Sequence, residues 1–408
     1  MKILHMADIH GRDKDLDEIN RCMTTILNTA RSEKVDLILI AGDIFDSQEI
    51  KAGSDTALFI IGCICILANI APIAIVIGTP SHDGKAPQIL SSVRGTHPVI
   101  VADKPMQVVM FNGNFYSTTE GCVPRDPHAV ITLIPQPTKQ YFNSQSGIQQ
   151  SDLEIGQAMS ALFAGYGASA AQYGCPHILI GHWNVTGAYL SNGQTLTGHE
   201  IEVSTDQMML AKPDLICLGH IHKAQQLGCN TFYSGSIYRN NWGEMEPKGF
   251  YIHEVAPFGV YSTFIETPTR KLVRFTHDAT SKTVGNWPRY ASALFGNGSV
   301  AGAFVRCDFT VWQDEAGQIN KTEIENISKN AGALDVDIRI IRVPRENIRA
   351  EAVIKAETLR DKIVKMAELR GEEVDSDILL KADLLESVPT EELLARIRGG
   401  ENEIATQA

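Results

Sequence analysis

Histidine and aspartate recur at five places in this chain, each at the end of an apolar, β-prone run. They are Asp8-Ile9-His10, Gly42-Asp43, Ser81-His82-Asp83, Gly181-His182 and Gly219-His220-Ile221-His222. Singly each is weak, because a lone histidine is more often a core or surface residue than a ligand. Together, with a β-type run ahead of every one, they outline a site. In D-x-H and H-x-H at a strand end, residues two apart point the same way, so both side chains can face one ion. Glycine before Asp43, His182 and His220 lets the backbone turn without a Cβ clash. Carboxylate and imidazole donors without thiolate suit Mn, Fe or Zn better than Ca or a structural zinc. The donors are too many for one ion. Two ions about 3.5–4 Å apart sharing a carboxylate is an arrangement that hydrolyses phosphate esters.

These loops need strands to hold them. Lys2–Met6, Val35–Ile40, Ile73–Ile77, Val108–Phe111, Ala129–Ile134, His177–Ile180, Leu215–Leu218 and Phe250–Glu254 read as strands, and Asp15–Glu33 has helical spacing. The pattern is α/β, with loops at the C-terminal strand ends where open α/β sheets place their sites. Leu58–Gly78 is almost wholly apolar and long enough to span a bilayer. Gly62, Asn69 and Pro72 interrupt it, so a buried helix to about Asn69 and a buried strand from Ile73 are expected, with no membrane span. Glu266–Arg270 reads as a connector. Beyond it, strands at Ala303–Val311 and Val336–Arg342 flank a helix near Lys321–Ala331, a small α+β module. From Asn347 the chain is helical and acidic, with a break at Ser387–Thr390. The expected domains are 1–265, 266–345 and 346–408.

The chain has 408 residues and a net charge of −12, which disfavours a protein that coats nucleic acid by itself. It does not exclude nucleic acid as a substrate. Eight cysteines without a CxxC pair, and no signal peptide, fit a reducing, cytoplasmic setting. His177 is expected to be structural and Trp183 a half-buried loop residue. His199 and His253 carry no motif partner, Arg125 and Arg239 lie in loops with no spacing argument, and Asn240-Asn241-Trp242 suggests no mechanism.

The five motifs, in this order, resemble those of the calcineurin-like metallophosphoesterase superfamily: D-x-H, G-D, G-N-H, G-H and G-H-x-H. MKILHMADIH at 1–10, LILIAGDIFD at 37–46 and DLICLGHIHK at 214–223 look like the nuclease subunits of SbcCD-type double-strand-break repair complexes. So do Tyr233-Ser234-Gly235-Ser236 and Lys248-Gly249-Phe250. The resemblance implies a four-layer β-sandwich flanked by helices, a small α+β cap domain over 266–345, and C-terminal helices that dock a partner. It assigns Asp8, His10 and His222 to a first metal, Asp43 as the bridge, and His182 and His220 to a second. His82 would contact the scissile phosphate and protonate the leaving oxygen, with Asp83 available to orient it. The family usually has Gly-Asn-His-Asp, with the Asn oxygen on the second metal. This chain has Gly78-Thr79-Pro80-Ser81-His82-Asp83, two residues longer, with Ser81 expected at the Asn position. A serine hydroxyl is a weaker ligand, so the second ion would be held less tightly, or through water or the Ser81 carbonyl.

By this resemblance the protein is a DNA exonuclease or endonuclease in recombination and repair, using two divalent ions, first of all Mn, with Mg, Fe or Zn as alternatives. It would work as a homodimer within a heterotetramer with an SbcC-like coiled-coil ATPase. Two alternatives stand beside this. One is a free-standing small-substrate phosphoesterase, which would need neither cap nor extra helices. The other is a catalytically weak scaffold that regulates the ATPase, which only Ser81 favours.

Overall fold

A computed structural model describes residues 1–119, 123–146, 152–191, 201–280, 299–344 and 353–398. The chain begins with β1 (Lys2–Met6), α1 (Leu16–Glu33), β2 (Leu37–Ala41), α2 (Asp55–Leu67), β3 (Ile73–Val76), β4 (Val99–Ala102), β5 (Met106–Phe111), β6 (Asn114–Ser117) and β7 (Ala129–Ile134). There follow α3 (Lys139–Ser146), α4 (Asp152–Ala170), β8 (His177–His182), β9 (Asn184–Val185), β10 (Glu202–Val203), α5 (Thr205–Met209) and β11 (Leu215–Gly219). Strands β12 (Gln225–Leu227), β13 (Thr231–Tyr233), β14 (Gly249–Ala256) and β15 (Gly259–Glu266) complete the first part.

Period-two patterning sets the layers. One sheet has the order β15-β14-β1-β2-β3-β4 and the other β12-β13-β11-β8-β7-β5-β6. Ile3, Leu37, Leu39, Ala74 and Val76 of the first sheet meet Val108, Ile131, Leu133, Ile178, Ile180 and Leu215 of the second in one buried cluster. The alternate residues Leu4, Met6, Ile38, Ile40, Ile73 and Ile75 face outward and are covered by α1 and α2. On the far side, Leu179, Ile216 and Leu218 are covered by Ile155, Met159 and Phe163 of α4 and Met208 of α5. The result is a four-layer helix–sheet–sheet–helix sandwich. Each fully buried aliphatic side chain contributes roughly 1.5–3 kcal/mol, and strands buried on both faces have to be nearly all apolar. That is why β1, β2, β3, β7, β8 and β11 were visible in the sequence.

The apolar run 58–78 divides as expected into the end of α2 and β3. No helix among the described residues is long and apolar enough to cross a membrane.

The chain falls into two compact units: Met1–Val273 with Gly302–Phe304, and Arg274–Ala301 with Val305–Ala408. Most of β16 (Lys271–Asp278) and β17 (Ala303–Trp312) belongs to the second, and with β18 (Asp335–Val343) they form a sheet in that order, with α6 (Lys321–Asn330) packed beside β18. Strand β16 is an addition to the two strands expected there. The chain then forms α7 (Leu359–Arg370), α8 (Ser376–Ser387) and α9 (Thr390–Arg398). Gly371 ends α7 in a left-handed conformation at φ 70°, and Val388-Pro389 separates α8 from α9.

Candidate metal centre

Strands β1, β2 and β3 are parallel to one another, as are β7, β8 and β11. Their C-terminal ends meet at one edge of the sandwich, and the five His/Asp loops gather there. Asp8 N donates to Gly42 O at 3.0 Å and His10 N to Asp43 O at 2.9 Å, which ties the first loop to the second. The backbone pays for the convergence locally. Asp8, His10, Asp43 and His220 have φ of 52°, 44°, 50° and 98°. A non-glycine residue there costs energy, and such residues cluster where function over-determines the backbone. Gly78 is needed for the same reason, because a Cβ on it would lie 2.2 Å from Asp43 Oδ1 and 2.3 Å from Asp43 N.

The donor atoms form three overlapping sets. Asp8, His10 and His222 come together in one, Asp8, Asp43 and His182 in another, and His10, Asp46 and His82 in a third. His10 Nε2 and His222 Nε2 are 2.9 Å apart. Asp43 Oδ2 reaches both sides, lying 3.8 Å from His10 Nε2 and 3.3 Å from His182 Nε2. His220 stands one step out: its backbone N–H donates to both Asp8 oxygens at 3.0 and 3.2 Å, and its ring meets His182 edge-on with centroids 5.2 Å apart.

Two of the inner imidazoles are held at Nδ1 by an oxygen. His182 Nδ1 donates to Ala41 O at 2.7 Å, and His222 Nδ1 to Glu244 Oε1 at 2.8 Å. His10 Nδ1 lies 3.5 Å from Asp46 Oδ1. A proton fixed on Nδ1 leaves the Nε2 lone pair facing inward, which is how proteins prepare histidine to bind a metal. The donor set and the aimed nitrogens fit two divalent ions.

The electrostatics agree. Burial alone would raise the Asp43 pKa, but the His182 and His10 imidazoles outweigh it and hold the carboxyl well below its usual range. Burial would lower His182, yet the Asp43 and Asp8 carboxylates raise it to about 9. Burial also opposes charge on His222, and Glu244 prevails and raises it. The buried carboxylates thus favour positive charge at this position.

The Gly78–Asp83 loop departs from the expected arrangement. Ser81 sits exposed at the tip, its carbonyl accepting from Gln48 N at 3.4 Å. The hydroxyl that faces Asp43 and His182 is that of Thr79. The physical reason is the turn itself: Thr79 O accepts from both His82 N and Asp83 N at 2.9 Å, so Pro80 and Ser81 bulge outward. His82 returns beside the first set of donors. Its ring stands edge-on to His10 with centroids 4.8 Å apart, and its Nδ1 donates to Asp46 O at 3.2 Å. Asp83 does not hold it. The buried Asp83 carboxylate accepts from Ile44 N, Phe45 N and Gly78 N at 2.8, 3.0 and 2.8 Å, binding two loops together.

Sequence reading missed Glu244 and Asp46. Glu244 is 1% exposed and accepts from His222, Asn240 N, Asn241 Nδ2 and the buried Lys248. Thus Asn240-Asn241 wraps a carboxylate. The signal available was weak, a Glu and a Lys four residues apart after the last histidine motif. Asp46 also pairs with Arg12, whose guanidinium continues to Asp15 and the Asn240 carbonyl.

Other residues settle into structural roles. His177 bonds Thr132 and Ala211 O, as expected of a core histidine. Trp183 is fully buried against Phe163 rather than half-buried in a loop. Arg239 donates to the carbonyls of Arg270, Met245 and Glu246. Arg125 is exposed, and His199 lies outside the described residues. His5, Cys217 and His253 also meet between the sheets. There Leu218 O, the two rings and Ser262 Oγ make a closed chain at 3.1, 3.3 and 2.7 Å.

No curated protein matches the chain significantly. A family model for calcineurin-like phosphoesterases matches residues 1–224, from the first aspartate loop through the last histidine motif. That span covers more than half of the chain and every loop of the centre, and its members are metal-dependent phosphoester hydrolases. The chain belongs to the calcineurin-like phosphoesterase family.

Proposed function

We propose that this phosphoesterase is a DNA nuclease, the hydrolytic subunit of an SbcCD-like complex. Asp8, His10, His222 and Asp43 would hold a first divalent ion, and Asp43, Asp8 and His182 a second, with His220 close by and Mn the first choice. The ions would supply charge to polarise the phosphoryl group and the attacking water. The chain's own residues do the rest. Ala41 O and Glu244 hold the His182 and His222 imidazoles on one tautomer, and the Nδ1 bond of His82 to Asp46 O leaves its Nε2 for the substrate. As the P–O bond breaks, the leaving oxygen would take the Nε2 proton of His82 in its imidazolium form, the ring keeping its Nδ1 proton on Asp46 O, a step worth about 10²–10⁴-fold.

The observation that carries the reading to DNA is the second unit, which a small-substrate hydrolase does not need. It exposes Ile354, Ile378, Leu380 and Leu385 at 75, 49, 54 and 59%. Apolar side chains in such number suit a partner surface, in this reading the coiled coil of an SbcC-like ATPase. The test is Mn-dependent cleavage of linear duplex and hairpin DNA by the purified protein, with bis-p-nitrophenyl phosphate alongside. DNA cleavage that the ATPase subunit stimulates is expected. Brisk hydrolysis of the small ester with intact DNA would overturn the nuclease reading in favour of a small-substrate phosphoesterase.

A further inference from the structure

The loop after β3 turns a threonine hydroxyl toward the donor cluster. Thr79 Oγ1 donates to Asp43 Oδ2 at 3.0 Å and lies 3.3 Å from His182 Nε2, and those two atoms are themselves 3.3 Å apart. Three ligand-type atoms of three chemistries therefore stand at the corners of a nearly equilateral triangle. Adjacent ligands on one octahedral ion with bonds of about 2.1 Å lie roughly 3 Å apart. The Thr79 backbone is pinned there as well, its N–H donating to Asp43 Oδ1 at 2.5 Å. Gly78 allows this approach, since any Cβ would strike Asp43.

We infer that Thr79 is the neutral oxygen ligand of the second metal, in the place an asparagine holds elsewhere in the family, and that Pro80-Ser81 is an insertion on its far side. The inference rests on the two-metal reading above. A hydroxyl is a weaker donor than an amide carbonyl, so the two sites load in sequence, the His10–His222 site first. Ser81 takes no part: the turn closed by Thr79 O carries it to the surface.

Mn²⁺ titration of the full chain by calorimetry and electron paramagnetic resonance tests this without substrate. The wild type is expected to take up two ions stepwise and to show the exchange-coupled spectrum of ions about 3.5–4 Å apart. Thr79→Val and Thr79→Ala should weaken the second step by about tenfold or more and abolish the coupled spectrum, with the first step unchanged. Thr79→Ser should restore both, and Ser81→Ala should match the wild type. Two-ion binding of wild-type strength in both Thr79→Val and Thr79→Ala, or loss of the second ion in Ser81→Ala, would overturn the assignment and leave the two-metal reading intact. A wild-type chain that binds no Mn²⁺ would overturn that reading and this one together.

Discussion

His222 Nδ1 donates to Glu244 Oε1 at 2.8 Å, and the second Glu244 oxygen lies 2.8 Å from Lys248 Nζ. The carboxylate is therefore shared between an imidazole of the donor cluster and a buried ammonium, and these two hold its pKa down to about 2 against burial. Such carboxylate–histidine pairs typically contribute 10- to 100-fold in metal affinity. Glu244→Gln is expected to weaken Mn²⁺ binding at the His222 site by about that factor, as read by calorimetry. Glu244→Ala should also lower Tm, because it leaves Lys248 buried beside one fewer anion. Unchanged affinity in Glu244→Gln would mean the pair only supports the loop.

The raised pKa of His182 gives the metal-free protein a definite pH response. A histidine with a folded pKa near 9 and an ordinary value of 6.5 stabilises the fold fully below pH 6.5 and loses that contribution as pH rises through 9. An ion needs the same nitrogen deprotonated. Between pH 6.5 and 9, Tm of the EDTA-treated protein should fall while Mn²⁺ affinity rises, by up to about tenfold per pH unit. Calorimetry in buffers of different ionisation enthalpy should register close to one released proton at pH 7.5. Affinity independent of pH would show that His182 is already neutral.

How legible these features were depended on burial. Strands buried on both faces announced themselves, as LILIA at 37–41 and ICL at 216–218 do. Strands at sheet edges did not: β6 is NFYS, and β15 alternates exposed and half-buried residues through GVYSTFIE. At the centre the aspartates and histidines were readable because strand-end geometry is local. Glu244 was not, since its role depends on meeting a histidine 22 residues away. The Thr79–Ser81 question was undecidable from spacing, because two extra residues can precede or follow the ligand. The turn closed by Thr79 O, which carries Ser81 outward, is what favours Thr79.

Asp83 separates a role in catalysis from one in architecture. Its two oxygens accept three backbone N–H groups from both the Asp43 and the Gly78 loops. An amide at this position offers one acceptor and turns two donors toward another donor. Asp83→Asn should therefore destabilise the fold by about 2–3 kcal/mol and weaken both metal sites together, since both loops shift. Chemical denaturation with parallel Mn²⁺ titration reads the two effects. A stable Asp83→Asn variant with intact metal binding and a displaced pH–rate profile would instead make it a partner of His82.

The placement of His82 makes a sharper demand. Its Nδ1 is occupied by the Asp46 carbonyl and its ring stands against His10, so it groups with His10 and Asp46 beside the Asp8–His10–His222 set. If it delivers a proton to the leaving oxygen, its importance must scale with how badly that oxygen needs one. Alkoxide leaving groups, such as the deoxyribose oxygen, need it; p-nitrophenolate departs without it. His82→Ala should lower the rate on a dinucleotide by about 10²–10⁴-fold but only slightly on a p-nitrophenyl ester, with Mn²⁺ stoichiometry unchanged. Equal losses on both substrates would assign His82 to phosphate binding, since a contact that merely holds the phosphoryl group cannot distinguish one leaving group from the other.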